Sequence, residues 1–241
     1  MLGAFWFSSL WNRLRDTRGI VLVALALIAG GTWAFVALAD EVMEGDTQSL
    51  DERILLALRN PSDHSDPIGS PAIEDAARDI TALGGGPVLL LIIGIAGGYL
   101  LLESKPRTVL MIVASIGSGT LISFLLKGIF NRPRPELVPH GSYVYTSSFP
   151  SGHSFLSALT YLTLAIWLSR ATKRWRAKVY LLTVAVLLTI MVGLSRVYLG
   201  VHWPTDVLAG WTIGAVWAIL CDRVADWLQR RHQIEPEGEA A

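Results

Sequence analysis

The sequence has few charged residues and a single cysteine, and each shortage excludes a class of protein. Only 17% of its 241 residues are charged while 52% are hydrophobic, a balance that argues against an ordinary soluble domain. Because Cys221 is the one cysteine, no disulfide framework can form within the chain, and cysteine usage says nothing about the compartment. Internal repeats and low-complexity tracts are also missing. The membrane class is therefore the first to test.

Apolar runs that approach the width of a bilayer recur along the chain. The last three are short by the usual count of about 20 residues, but flanking Trp, Tyr and basic residues suit the membrane interface. The sequence predicts an all-α fold, a bundle of six transmembrane helices with these spans: 19–39, 86–102, 108–126, 155–168, 179–194 and 207–221. The alternatives are buried helices of a soluble bundle for the short runs, and a cleaved signal segment ending at "VALAD" for the first run.

The distribution of Lys and Arg predicts how the chain crosses the membrane. Most of the 20 basic residues lie before the first span, after the second, after the fourth or in the tail, and basic loops stay in the cytoplasm. We therefore expect a protein of the cytoplasmic membrane with both termini inside. Its parts would be an interfacial N-terminal segment over 1–18, a six-span domain over 19–228 and a polar tail over 229–241.

The segment between the first two spans, residues 40–85, is acidic and is expected on the extracytoplasmic side. Ser70 followed by Pro71 has the pattern of a helix start. The stretch "SLDERILLALRN" sets apolar side chains on one helical face: Leu50, Ile54, Leu55 and Leu58. These features predict short amphipathic helices on the outer interface. Two roles remain open for the segment, a solvated connector or a lid over a lipid entrance.

Ionisable residues at the ends of the apolar runs are functional candidates, because charge is costly near a membrane. Lys127 ends the third run, and in the following "NRPRP" two prolines extend the backbone around Arg134; Lys127 alone could equally be a snorkelling anchor. In the next block, "PSGH", Ser151 is suited to cap a helix and Gly152 allows a ligand to approach the backbone closely. The block predicts an anion site, although the tetrapeptide alone is ordinary turn chemistry.

A third polar block, "SRVYLGVHWPTDVLAG", runs from the fifth span into the sixth. Arg196 could offer its planar guanidinium to phosphate oxygens. Pro204 suits the first position of a helix, so Asp206 would lie in the first turn, within reach of His202. A carboxylate on one ring nitrogen fixes the tautomer and leaves the other nitrogen as a nucleophile or base. A buried structural pair would have the same spacing.

With these blocks in this order, the chain resembles the type 2 phosphatidic acid phosphatase family. The matching positions are Lys127, Arg134 and Pro135, then "PSGH" over 150–153, then Ser195, Arg196, His202 and Asp206. The resemblance implies an integral membrane phosphatase acting on phosphatidate, phosphatidylglycerophosphate or a polyprenyl pyrophosphate such as undecaprenyl pyrophosphate. Vanadate-dependent haloperoxidases share these blocks, but they are soluble, whereas this chain has six apolar runs.

The residues and the resemblance together imply hydrolysis through a phosphohistidine intermediate. His202 would attack phosphorus, oriented by Asp206, while His153 would protonate the leaving oxygen and later activate water. The phosphate would be bound by the other block residues: Lys127, Arg134, Ser151, Gly152 and Arg196.

No metal or other cofactor is expected, because three cations around one phosphate would repel a metal ion. A metal hydrolase using His153, His202 and Asp206 as ligands is the alternative catalytic class. The expected partners are a lipid phosphate and membrane lipids, without nucleic acid, and the oligomeric state is open. The non-enzymatic alternative is a lipid-phosphate binding or transport protein on the same scaffold, although binding alone needs no nucleophile with an orienting carboxylate.

Overall fold

Each predicted apolar run lies within one helix of the structure. A computed structural model describes residues 17–142, 146–170 and 172–231. Within these residues the helices are α1 (Thr17–Glu44), α2 (Gln48–Leu56), α3 (Pro71–Ala82), α4 (Gly86–Leu102), α5 (Pro106–Phe130), α6 (Gly152–Arg170), α7 (Trp175–Tyr198) and α8 (Pro204–Arg230). The helical fold class is confirmed. All but the last two residues of the interfacial segment predicted over 1–18, and most of the polar tail over 229–241, lie outside the described residues.

The helices differ in how well they suit a membrane. Four have the length and hydropathy of a span: α1, α5, α7 and α8. Helix α4 has 17 residues and qualifies only together with α3, to which it is joined by a bend of 51°. The described residues therefore contain four candidate spans, or five when the bent pair is counted as one.

Helix α6 lies at the centre of the bundle, where it packs against α7 and α8. It buries hydroxyl side chains such as Ser157 and Thr160, and it is not among the four helices that have the hydropathy of a span. Close packing depends on Gly210 and Gly214 of α8, where a Cβ would lie 2.7 Å and 2.6 Å from backbone oxygens at the start of α6. The apolar core between α5, α6 and α8 contains Ile112, Ile116, Phe155, Leu159 and Ala218.

The connection between α1 and α4, here called the connecting segment (residues 45–85), contains a short hairpin as well as α2 and α3. Strands β1 (Arg59–Asn60) and β2 (Asp63–Pro67) pair antiparallel. The hairpin was not predicted, because strands of 2 and 5 residues are too short to leave a periodic pattern. The predicted start of α3 at Pro71, directly after Ser70, is confirmed.

The connecting segment packs into the bundle instead of lying apart from it. Helix α2 turns Asp51 and Leu55 inward, and both side chains are fully buried. Two of its other apolar side chains, Leu50 and Ile54, remain exposed. Helix α3 packs along α7. The segment therefore covers the end of the bundle at which the three polar blocks meet.

Candidate active site

The three polar blocks meet because they occupy the same end of successive antiparallel helices. Lys127 lies in the last turn of α5 and His153 in the first turn of α6. Arg196 lies in the last turn of α7 and Asp206 in the first turn of α8. Four helix ends thus carry the functional side chains, and the loops between them carry Arg134 and His202.

His202 is buried with its two ring nitrogens in different surroundings. Its Nδ1 lies 3.3 Å from Asp206 Oδ2, and its Nε2 lies 3.1 Å from Nη1 of Arg134. A guanidinium can only donate hydrogen bonds, so Nε2 accepts and the ring proton sits on Nδ1, facing the carboxylate. Burial lowers the pKa of His202 well below 6.5, and three nearby cations lower it further: Arg134, Arg196 and Lys127. The ring is therefore neutral, with a lone pair on Nε2.

Asp206 is fully buried and is surrounded by hydrogen-bond donors. Its Oδ2 accepts the backbone N–H of Trp203 at 2.9 Å and the hydroxyl of Ser148, and its Oδ1 accepts Nη1 of Arg132 at 2.7 Å. The bond to Trp203 is a helix-capping contact, since Asp206 lies in the first turn of α8. These donors fix the position of the carboxylate beside Nδ1 of His202.

The loop over 146–148 holds two of the phosphate-binding candidates. Lys127 Nζ donates to the backbone oxygen of Ser147 at 2.6 Å, and the hydroxyl of Ser147 donates back to the Lys127 carbonyl at 2.7 Å. Nε of Arg134 donates to the backbone oxygen of Thr146 at 2.8 Å, and Nη1 donates to that of Val201 at 2.6 Å. Burial lowers the pKa of Arg134 below its usual value. Both cations are held by neutral carbonyls, so their charge is not cancelled by a carboxylate in direct contact.

Arg196 is a buried cation with an unused donor. Its side chain is 2% exposed, and Nη1 donates to the hydroxyl of Thr81 in α3 at 2.9 Å. Its Nε, which is also buried, has no hydrogen-bond partner among the residues that the structure describes. Buried polar groups are nearly always paired, and a buried guanidinium lacking an anion is costly. This arrangement suits a site that is completed by an anionic ligand.

His153 begins α6 with its ring available. Among the described residues no group hydrogen-bonds to this ring, and the residue is only partly buried. Its backbone lies against Gly84, where a Cβ would be 3.3 Å from the His153 oxygen and 2.4 Å from Cγ1 of Val192. Gly84 therefore permits the close approach of the connecting segment to the site.

Ser151 is engaged within its own helix turn. Its Oγ accepts the N–H of Ser154 at 3.4 Å and the hydroxyl of the same residue at 3.0 Å, and the side chain is fully buried. This is the capping role that the sequence predicts. A Cβ added to Gly152 would lie 3.5 Å from Cε of Lys127, so the backbone at Gly152 borders the cation.

Several residues that were not selected from the sequence complete the site. Arg132 bridges two carboxylates, because Nη2 donates to Asp51 at 2.8 Å while Nη1 bonds to Asp206. Asp51 in turn accepts the backbone N–H of Thr205 at 3.0 Å and its hydroxyl at 2.6 Å. Ser148 lies 3.3 Å from Nδ1 of His202. Two signals were available in the sequence: the first arginine of "NRPRP", and a carboxylate one helical turn before Leu55 on the buried face of α2.

Three further histidines lie outside the polar blocks: His64, His140 and His232. His64 is exposed, and Nε2 of His140 lies 2.7 Å from the backbone oxygen of Pro135. His232 lies outside the described residues. Over 17–142, 146–170 and 172–231, no group of three or more His, Cys, Asp or Glu side chains is arranged to hold a metal ion.

The part of the sequence that carries the three polar blocks matches a known protein family. A sequence profile described as the PAP2 superfamily matches residues 108–230, which span α5 to α8 and all three polar blocks. The chain belongs to the PAP2 superfamily. The resemblance to type 2 phosphatidic acid phosphatases is confirmed, and with it the class of activity, hydrolysis of lipid phosphates in a membrane.

Two of the similar proteins match most of the chain, and a third matches less than half of it. The chain is 32% identical over 204 residues to phosphatidylglycerophosphatase B of Bacillus subtilis, covering 83% of this chain and 95% of that protein. The crystal structure of a transmembrane PAP2-type phosphatidylglycerolphosphate phosphatase from Bacillus subtilis superposes with a TM-score of 0.78 at 30% identity, covering 85% of this chain and 98% of that one. Undecaprenyl-diphosphatase of Sulfolobus acidocaldarius is 31% identical over 127 residues, which span 46% of this chain and 57% of that protein.

Proposed function

We propose that this PAP2 protein removes phosphate from a membrane lipid through a phosphohistidine formed on Nε2 of His202. The observation that carries the proposal is the environment of this nitrogen, which lies 3.1 Å from the guanidinium of Arg134 while Nδ1 faces Asp206. A phosphate bound by Arg134 would lie beside the lone pair of Nε2. The attacking atom and the binding cation are therefore adjacent before substrate arrives.

The reaction follows from the charges of the site. Nε2 of His202 bonds to phosphorus as the bond to the lipid oxygen breaks, and His153 donates a proton to that oxygen. Asp206 stabilises the positive charge that develops on the attacking ring. His153, now neutral, takes a proton from water, which cleaves the phosphorus–nitrogen bond. Charge on the phosphate oxygens is balanced throughout by the cationic side chains: Lys127, Arg134 and Arg196.

These cations perform the charge neutralisation that a metal ion supplies in many phosphatases. The carboxylates near them already have partners, since Asp51 and Asp206 are both bonded to Arg132. Neither of these two carboxylates is left to bind a divalent ion next to the phosphate. Metal-independent hydrolysis is therefore part of the proposal.

The proposed topology has six spans, the site on the extracytoplasmic side and both termini in the cytoplasm. It rests on the six helices that carry the apolar runs and on the basic residues of the stretch 170–178, which begins at the end of α6 remote from His153. The test uses Glu136→Cys and Lys173→Cys, both at exposed positions, in a Cys221→Ser background. An impermeant thiol reagent should label position 136 in intact cells and position 173 only after permeabilisation, and the reverse pattern would invert the topology.

The proposed substrate is a lipid phosphate monoester whose chains remain in the bilayer. Exposed apolar side chains of α5, among them Phe124, Leu125 and Ile129, flank Lys127 at the end of that helix. A lipid entering sideways would contact these side chains while its phosphate reaches the cations. The long match to phosphatidylglycerophosphatase B favours phosphatidylglycerophosphate or phosphatidate, with a polyprenyl pyrophosphate as the second choice.

The test is phosphate release by purified protein in mixed micelles. The panel contains phosphatidylglycerophosphate, phosphatidate, undecaprenyl pyrophosphate and a short soluble phosphate ester, with His202→Ala as the control. We expect release from a long-chain lipid phosphate, loss of that release in the control and a much lower kcat/KM on the soluble ester. Tight binding of a lipid phosphate without phosphate release would instead support the binding or transport alternative.

A further inference from the structure

We propose that Asp51, in the connecting segment, is a positioning residue that acts through Arg132 on the orienting carboxylate of Asp206. The inference rests on the proposed function, since it concerns the step in which His202 attacks phosphorus. Asp51 lies on α2, outside the region of the PAP2 profile, and its carboxylate is fully buried.

Both oxygens of the Asp51 carboxylate accept hydrogen bonds. Oδ1 accepts the backbone N–H of Thr205 at 3.0 Å, and Oδ2 accepts the Thr205 hydroxyl at 2.6 Å and Nη2 of Arg132 at 2.8 Å. A buried carboxylate is tolerated only when it is paired in this way. The position therefore needs an acidic side chain, and packing alone does not account for it.

Arg132 connects this carboxylate to the catalytic one. Nη1 bonds to Asp206 Oδ1 at 2.7 Å and to the Thr205 hydroxyl at 2.8 Å, while Nη2 bonds to Asp51. Without Asp51, the whole charge of the guanidinium would act on Asp206. The carboxylate would then attract the Nδ1 proton of His202 less strongly, and it would stabilise the charge developing on the ring less well.

Asp51 also fixes the helix turn on which Asp206 sits. Thr205 and Asp206 are neighbours in the first turn of α8, where backbone N–H groups lack partners within the helix. By accepting the Thr205 N–H, Asp51 caps this turn from a helix that lies 154 positions away in the sequence. The connecting segment thus sets both the charge balance and the position of the orienting carboxylate.

The test is Asp51→Asn, which keeps the size of the side chain and removes its charge. Asp46→Asn is the matched control, because it makes the same change at an exposed position of the same segment. We expect kcat to fall about tenfold or more in Asp51→Asn, as for other partners of orienting groups, with KM within about twofold of wild type. Lys127, Arg134 and Arg196 are untouched, so substrate binding is retained. The control should match wild type in both parameters.

A double-mutant cycle with Arg132→Gln tests the route of the effect. If Asp51 acts through Arg132, Asp51→Asn should lower kcat by less than about twofold in the Arg132→Gln background. Independent, multiplicative losses would overturn the proposed route. In single-turnover experiments, Asp51→Asn should slow formation of the phosphohistidine. If Asp51 had a purely structural role, the folded fraction of the variant would form the phosphohistidine at the wild-type rate.

Thr205→Val keeps both charges and removes only the hydroxyl that links them, so it carries the test even if Asp51→Asn does not accumulate as folded protein. We expect kcat to fall about threefold or more, with KM nearly unchanged, for loss of a buried hydrogen bond. If the wild type is active and kcat is unchanged in Asp51→Asn, this inference alone is overturned. If only Thr205→Val folds, an unchanged kcat in that variant has the same consequence. An inactive wild type would instead overturn the proposed function.

Discussion

Replacing Asp206 with Asn should remove most of the turnover, because both oxygens of the carboxylate face only donors. Oδ2 is bonded to the backbone N–H of Trp203 and the hydroxyl of Ser148, and it faces the Nδ1 proton of His202. Oδ1 is bonded to Arg132. An amide has one oxygen and one NH2 group, so wherever the NH2 points it meets another donor.

The less costly orientation of the Asn side chain turns the NH2 toward Arg132. In that orientation the guanidinium of Arg132 loses its bond to residue 206 but keeps its bond to Asp51. The amide oxygen still accepts from the three donors on the other side. His202 then keeps its tautomer but faces no negative charge. Where Asn also disturbs the tautomer of a catalytic histidine, kcat falls about 10⁴-fold, so we expect a loss of about 10²- to 10³-fold here. Breaking a buried pair costs about 3–5 kcal/mol of stability, and the remaining Asp51 contact favours the lower end.

The assay compares kcat on a lipid phosphate with the thermal unfolding temperature of the same preparations. Asp222→Asn is the matched control, because Asp222 is also a buried carboxylate on α8, paired with Arg170 and Arg223 near the opposite end of the helix. It should lower stability without a comparable loss of kcat. The reasoning is refuted if Asp206→Asn retains more than about a tenth of kcat. It is equally refuted if the two variants lose activity to the same extent.

Three further predictions concern the pH profile, metal ions and the leaving group. Because burial lowers the pKa of His202 below 6.5, the unfolded chain binds a proton that the folded chain does not. The contribution of neutral His202 to the free energy of unfolding is therefore complete above pH 6.5 and is lost as pH falls below it. Between pH 7 and pH 5, the thermal unfolding temperature should decrease less in His202→Ala than in wild type. Chelators should leave activity intact, and activity that a divalent ion restores after chelation would contradict the charge assignment. His153→Ala should slow hydrolysis of a lipid alkoxide more than that of an activated aryl phosphate, and equal losses would contradict its role as the acid.

The site residues that could be predicted from the sequence lie in short sequence blocks. His202 and Asp206 are one helical turn apart, and a proline fixes the start of their helix, so local sequence determines their contact. Lys127, His153 and Arg196 stand at the ends of apolar runs that cross the bundle in alternating directions. Span lengths and alternation therefore bring separate blocks together without any knowledge of tertiary contacts.

The part that could not be predicted depends on pairings between distant positions. Asp51 looks like a solvated residue in an acidic stretch, and only its contact with Thr205 and Arg132 reveals that it is buried. Ser148 stands in a loop of ordinary turn composition, yet its hydroxyl bonds to Asp206. Periodicity assigns a face to a side chain, but it does not identify the partner across that face.

The connecting segment changes how the catalytic region must be understood. The PAP2 profile begins at residue 108, but two of the arginines within it depend on partners that precede this point. Arg132 is bonded to Asp51, and Arg196 is bonded to Thr81. A region containing only α5 to α8 would bury both guanidiniums with fewer contacts, and an incompletely paired buried charge is strongly destabilising. The segment is therefore part of the structure of the candidate active site, and a lid that leaves and returns would have to break these bonds on each cycle.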